Sequence, residues 1–89
     1  MTTREVLLGA AEYLRKYGWI QWETGNHGGP RCALGALESV DIDSVYDDAE
    51  YRLLRTVGAS SVVKWNDAPG RTVEEVIAAF EKAAAECES

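Results

Sequence analysis

Thr72-Val73-Glu74-Glu75-Val76-Ile77-Ala78-Ala79-Phe80-Glu81-Lys82-Ala83-Ala84-Ala85-Glu86-Cys87 carries the cleanest helical pattern in the chain. Val73, Val76, Ile77, Phe80, Ala83, Ala84 and Cys87 recur at steps that place them on one face of an α-helix. Thr72 followed by Glu75 is a capping box, in which a hydroxyl and a carboxylate satisfy backbone N–H groups that the first turn leaves unpaired. A helix with one apolar stripe must bury it against another element. The rest of the chain supplies further helices.

Upstream, Ser60-Ser61 are set to cap a short helix through Val62, Val63 and Trp65, and Asn66-Asp67-Ala68-Pro69-Gly70 breaks it. Tyr46, Ala49, Leu53, Leu54 and Val57 form the stripe of another helix, with Gly58 as its stop and Asp47 or Ser44 as its expected cap. Cys32 to Val40 is helical, with Leu34, Leu37 and Val40 on one side. Gly35 inside that helix costs about 1 kcal/mol relative to Ala. Such a cost suits close approach of another backbone, expected to be the Trp19–Trp22 segment. A second capping box, Thr2 with Glu5, opens a helix from about Thr3 to Tyr17, carrying Val6, Leu7, Ala10, Ala11, Leu14 and Tyr17 and stopping at Gly18.

Between the first two helices the pattern changes. Trp19-Ile20-Gln21-Trp22-Glu23-Thr24 is aromatic and β-branched, which suits extended backbone. Gly25-Asn26-His27-Gly28-Gly29-Pro30 is a turn, from which Arg31-Cys32 can pair back as a minimal hairpin. The fold expected is therefore mainly α: a single domain, residues 1–89, of four or five helices with a short extended segment or β-hairpin near residues 19–32. The first and last helices are expected to pack together. Val6, Leu7, Leu14, Leu34, Leu37, Leu53, Leu54, Val76, Ile77 and Phe80 are the expected core.

Composition excludes several function classes. The chain has 89 residues, is 46% hydrophobic, and has a net charge of −6 from 9 basic and 15 acidic residues. Phosphate backbones repel an acidic surface, so nucleic-acid binding by a basic face is not expected. Anionic membrane surfaces are disfavoured in the same way. No apolar run reaches the ~20 residues that cross a bilayer, and no export signal is read at the N-terminus. Cys32 and Cys87 are too few for a disulfide scaffold, so two reduced thiols and a cytoplasmic location are expected; spacing does not settle whether they are bridged.

Cys32 is the first candidate for chemistry, because a helix's opening N–H groups favour a thiolate. A nucleophilic thiol needs a base, and the one histidine is His27, in the glycine-flanked loop just upstream. Asn66 or Asp67 is available to orient that imidazole. Against this, a free cysteine is most often a small buried side chain, and His27 is expected to be mobile. Metal binding by His27, Cys32 and Cys87 lacks the paired spacings of a zinc site. Asp41, Asp43 and Asp47 resemble the start of a calcium loop, but Arg52 stands where its glutamate belongs. The glycines at 25, 28 and 29 do not match a phosphate loop. No metal or cofactor is expected.

Binding features are more prominent. On extended backbone Trp19 and Trp22 face opposite sides, so one is expected to be buried and the other at least partly exposed beside the glycine loop. Glu38, Asp41, Asp43, Asp47, Asp48 and Glu50 form an acidic run without an intervening Lys or Arg. Trp22, His27, Asp41, Asp43, Asp47 and Asp48 are the candidate partner-binding residues, suited to a protein with a basic or apolar patch.

Trp19, Cys32-Ala33-Leu34-Gly35-Ala36-Leu37, Trp65-Asn66-Asp67 and Pro69-Gly70-Arg71-Thr72 together resemble an uncharacterised family of small proteins from actinobacteria and their phages. The resemblance implies setting, not chemistry, since the family has no assigned activity. The expected function is a non-enzymatic accessory factor of phage or actinobacterial origin that binds another protein, with a host protein carrying a basic or apolar patch as the candidate partner. The alternative is a thiol-dependent hydrolase or transferase using Cys32, His27 and Asp67.

Overall fold

Both capping boxes form. In this computed structural model, which describes residues 1–41 and 45–87, the Thr2 hydroxyl accepts from the Glu5 N–H at 3.1 Å and the Glu5 carboxylate accepts from the Thr2 N–H at 2.9 Å. That backbone bond, followed by the hydroxyl, holds the Glu5 carboxyl below its ordinary range. Thr72 and Glu75 repeat the arrangement. They open α1 (Thr3–Tyr17) and α5 (Val73–Ala85); between them lie α2 (Ala33–Val40), α3 (Tyr46–Val57) and α4 (Val62–Asn66). The described residues contain these five helices and no strand.

α1 makes its largest contact with α5 and its next with α2, so it runs through the middle of the assembly. It buries Val6, Leu7, Ala10, Ala11, Tyr13 and Leu14, while α5 buries Val76, Ala79, Phe80, Ala83 and Ala84. Alanines on both faces let helix axes approach closely. Arg15 bridges the two helices at the surface, pairing with Glu12 and Glu81. Such exposed pairs add little to stability.

The expected core needs one correction. Leu34, Leu54 and Ile77 are only partly buried and pack against the core from its rim. Ala33, Ala36, Ala49 and Val62 occupy interior positions instead. In a chain this short the interior is narrower than the apolar stripes, so the outer member of each stripe keeps one side in water. The cap of α3 is also different. Val45 stands at that position and offers no side-chain hydrogen bond, while Asp47 lies inside the first turn and acts through the helix dipole. Ser44, the other expected cap, lies outside the described residues.

The segment between α1 and α2 is extended without being a hairpin. Arg31 makes an isolated parallel bridge to Trp19 and an antiparallel one to Gly25. Its N–H donates to the Gly18 carbonyl and its carbonyl accepts from Ile20, each at 3.3 Å. Arg31 is thus pinned between the start and the end of the loop, and the bend at Trp22, where φ is 73°, prevents continuous pairing. Gly35 has the close approach expected of it, but from a different group. A Cβ there would meet the Thr24 carbonyl oxygen at 2.8 Å and Arg31 Nε at 2.7 Å, rather than the Trp19–Trp22 backbone.

Candidate functional site

Ser61 accepts from the Lys64 N–H and starts α4, whose single turn carries Asn66 into the interior. Asn66 is the one polar residue among the fully buried side chains of the described residues. Burying an amide is costly unless it is bonded, and here all four bonding positions are used. Its Oδ1 accepts from the Trp19 indole N–H at 2.6 Å and from the Ala33 backbone N–H at 2.9 Å. Its Nδ2 donates to the Ile20 carbonyl at 3.2 Å and to Asp67 Oδ1 at 3.0 Å. These donors and acceptors fix the amide's orientation. Ala33 opens α2, so Asn66 satisfies one of the N–H groups that a helix start leaves unpaired. Cys32 satisfies another, its Sγ accepting from the Gly35 N–H at 3.4 Å.

Asp67 extends the network to the surface. Its Oδ1 also accepts from the Trp22 backbone N–H at 2.8 Å. Gln21 Nε2 donates to the Asn66 and Ala68 carbonyls at 3.0 and 3.1 Å. The loop after α1 and the turn after α4 are therefore laced together. Trp19 is half-buried within the lacing, whereas Trp22 is 72% exposed. Trp22 is also the only non-glycine among the described residues with positive φ, a conformation in which its Cβ crowds the backbone. Behind the turn, the Arg71 guanidinium stacks 4.4 Å from the Trp65 ring centroid, bonds the Trp65 carbonyl through Nε, and reaches Glu75 through Nη1.

Trp22, Glu23, Thr24, Cys32, Val63 and Asp67 line a cleft of about 180 Å³. Two larger clefts flank α5. One, of about 310 Å³, is lined by Arg52, Arg55, Thr56, Ala83 and Glu86, with the Thr56 hydroxyl donating to Glu86. The other, of about 300 Å³, is an open groove beside Trp65, Arg71 and Lys82. The smaller cleft is distinguished by its exposed apolar pair, Trp22 and Val63, and by its strained backbone.

The structure brings Cys32, Asp67 and Trp22 to one cleft, but His27 lies elsewhere. The imidazole is exposed, with its centroid 5.9 Å from the Tyr13 ring. Asp67 bonds Trp22 and Asn66, and Cys32 is buried at its capping position. Both cysteines are free. Among the described residues no group of three or more His, Cys, Asp or Glu is placed to hold a metal ion. Tyr13, which the helical reading of α1 passed over, anchors the glycine loop: its hydroxyl accepts from the Gly28 N–H at 2.9 Å and donates to the Gly29 carbonyl at 2.8 Å. Its spacing of three from Ala10 and four from Tyr17 was the available signal.

The described members of the acidic run differ in their partners and exposure. Glu38 turns toward Arg31 at 3.5 Å. Asp48 accepts from the Thr3 hydroxyl at 2.6 Å and lies 3.9 Å from Arg52 Nε. Asp47 is exposed, Asp41 is half-buried, and Asp43 lies outside the described residues. Burial raises the Tyr46 phenol above its ordinary range, assisted by Glu38, Glu50, Asp47 and Cys32.

Among the described residues five helices pack into a small domain, in which a buried asparagine ties α4 to the loop after α1 and to the start of α2, and a strained, exposed tryptophan stands on that loop. The chain belongs to the family of unknown function DUF6197, whose family model matches residues 1–86. No curated protein and no solved structure matches it. No helix among the described residues is long and apolar enough to cross a membrane.

Proposed function

We propose that this protein is a non-enzymatic binding factor that docks on another protein through the surface around Trp22. The observation that carries this reading is the conformation of Trp22, held by the Asp67 carboxylate at φ 73° with 72% of its surface in water. Left-handed backbone costs a residue with a Cβ about 1–2 kcal/mol, and leaving an indole exposed forfeits its burial. Strain of this kind persists where the surroundings over-determine it, and it concentrates at functional sites. Tryptophan is also the residue type most enriched among energetic anchors of protein interfaces.

The partner this reading implies presents an apolar patch flanked by basic groups, since the net charge is −6. The same charge argues against a nucleic-acid backbone. The setting we infer is cytoplasmic, in an actinobacterial cell or one infected by its phage. Two unbridged thiols and the motif resemblance support it.

The test uses tagged full-length protein and its Trp22→Ala variant as baits in actinobacterial lysate, with circular dichroism to establish that both are folded. A partner captured by the native protein is expected to bind the variant roughly thirtyfold more weakly, the usual loss at an interfacial tryptophan. Equal capture by both baits, or none above background, overturns the reading.

A further inference from the structure

We infer that the cleft beside Trp22 receives a lysine or arginine side chain of the docking partner. This rests on the binding-protein reading above and specifies the partner's chemistry. Glu23 and Asp67 put two carboxylates on a cleft of about 180 Å³, and no basic residue lines it. The described ion pairs engage Glu12, Glu38, Asp48, Glu75 and Glu81, so neither Glu23 nor Asp67 has a cation among the described residues. Asp67 uses Oδ1 for the Trp22 and Asn66 N–H groups, which leaves Oδ2 open to a further donor. The indole of Trp22 and the exposed Val63 supply apolar surface beside those charges.

A long cationic side chain matches this combination. Its methylenes cover Val63, its charged head meets the carboxylates, and the indole face attracts it further. The same molecule already uses such a triad internally. Arg71 lies 4.4 Å from the Trp65 ring centroid while its Nη1 pairs with Glu75 Oε2 at 3.3 Å. At Trp22 the aromatic and the acids are present, and the cation must come from outside.

The probes are N-butylguanidinium, n-butylammonium and the neutral n-butanol, titrated into ¹⁵N-labelled full-length protein. Either cation is expected to give saturable shifts at the Trp22 indole N–H and the Val63 amide, weakening as salt is raised. A folded double variant, Glu23→Gln with Asp67→Asn, keeps an acceptor for the Trp22 N–H and is expected to bind the cations about fivefold to tenfold more weakly. Equal binding of n-butanol, insensitivity to salt, or undiminished cation binding by the double variant overturns the inference. The two proposals fail separately. Lysate capture that needs Trp22 but survives the double variant leaves the binding-protein reading intact and removes the cation. Cation binding without any Trp22-dependent capture removes the binding-protein reading, and with it the partner's side chain, while leaving the cleft itself as a cation-binding site.

Discussion

Asn66 Oδ1 lies 2.6 Å from the Trp19 indole nitrogen and also accepts the Ala33 backbone N–H. One buried amide therefore fixes the loop after α1 and the start of α2 together. Its other end bonds Ile20 and the Asp67 carboxylate that holds Trp22. The exposed surface proposed for docking is thus built on a bond made in the core.

Asn66→Ala leaves the Trp19 and Ala33 N–H groups without a partner away from water. At about 1–3 kcal/mol for each unsatisfied buried group, the variant is expected to lose about 3 kcal/mol or more. Asn66→Asp is expected to be at least as damaging near neutral pH, because carboxylate oxygen would face the Ile20 carbonyl and Asp67. Urea denaturation followed by tryptophan fluorescence measures both. A loss within about 0.5 kcal/mol, typical of an unimportant surface change, would exclude the hub from stability. Adding Trp19→Phe to Asn66→Ala is expected to recover part of the loss by removing one orphaned donor.

Trp22→Gly and Trp22→Ala separate strain from contact. Both remove the indole, but only glycine adopts φ 73° without a Cβ penalty. The glycine variant is expected to be the more stable by about 1 kcal/mol, despite its greater unfolded-chain entropy. If alanine proves the more stable in thermal melts, the left-handed conformation is not maintained in solution.

Gly35→Ala reverses the usual helical preference. An alanine inside a helix ordinarily gains about 0.5–1 kcal/mol over glycine. Here the added methyl would lie 2.8 Å from the Thr24 carbonyl oxygen, which already accepts the Cys32 N–H at 3.3 Å. A destabilisation of about 1–3 kcal/mol is expected, with displaced amide resonances at Thr24 and Cys32. A gain in stability would show that the loop withdraws freely from α2.

Tyr46 makes stability fall in alkali. Its folded pKa lies above the ordinary 10.0, first because burial disfavours the phenolate and then because Glu38, Glu50, Asp47 and Cys32 repel it. The unfolded phenol ionises first, so the associated stability is complete below the unfolded pKa and is lost as pH rises beyond it. Between about pH 9 and pH 11, Tyr46→Phe is therefore expected to lose less stability than the native protein in urea melts. Parallel losses would mean that Tyr46 ionises with equal ease in both states.

Apart from the cap of α3, where Val45 stands instead of the expected Asp47 or Ser44, helix starts and stops were legible from residues a few positions apart. Thr2 with Glu5, Thr72 with Glu75, and the Phe80 stripe depend on hydrogen bonds and periodicities within one or two turns, so local sequence determined them. Trp19 and Trp22 were also separable as one more buried and one exposed residue. Only the tertiary structure decided that Leu34, Leu54 and Ile77 stop at the rim, because the width of a core depends on how closely several helices approach. It alone joined Asn66 to Trp19 across 47 residues and to Ala33 across 33. It also put Asp67 beneath Trp22 and left His27 against Tyr13. An asparagine at the end of a short helix reads locally as a turn residue. What makes it a hub is the set of buried donors that packing brings within reach, and no spacing along the chain encodes that meeting.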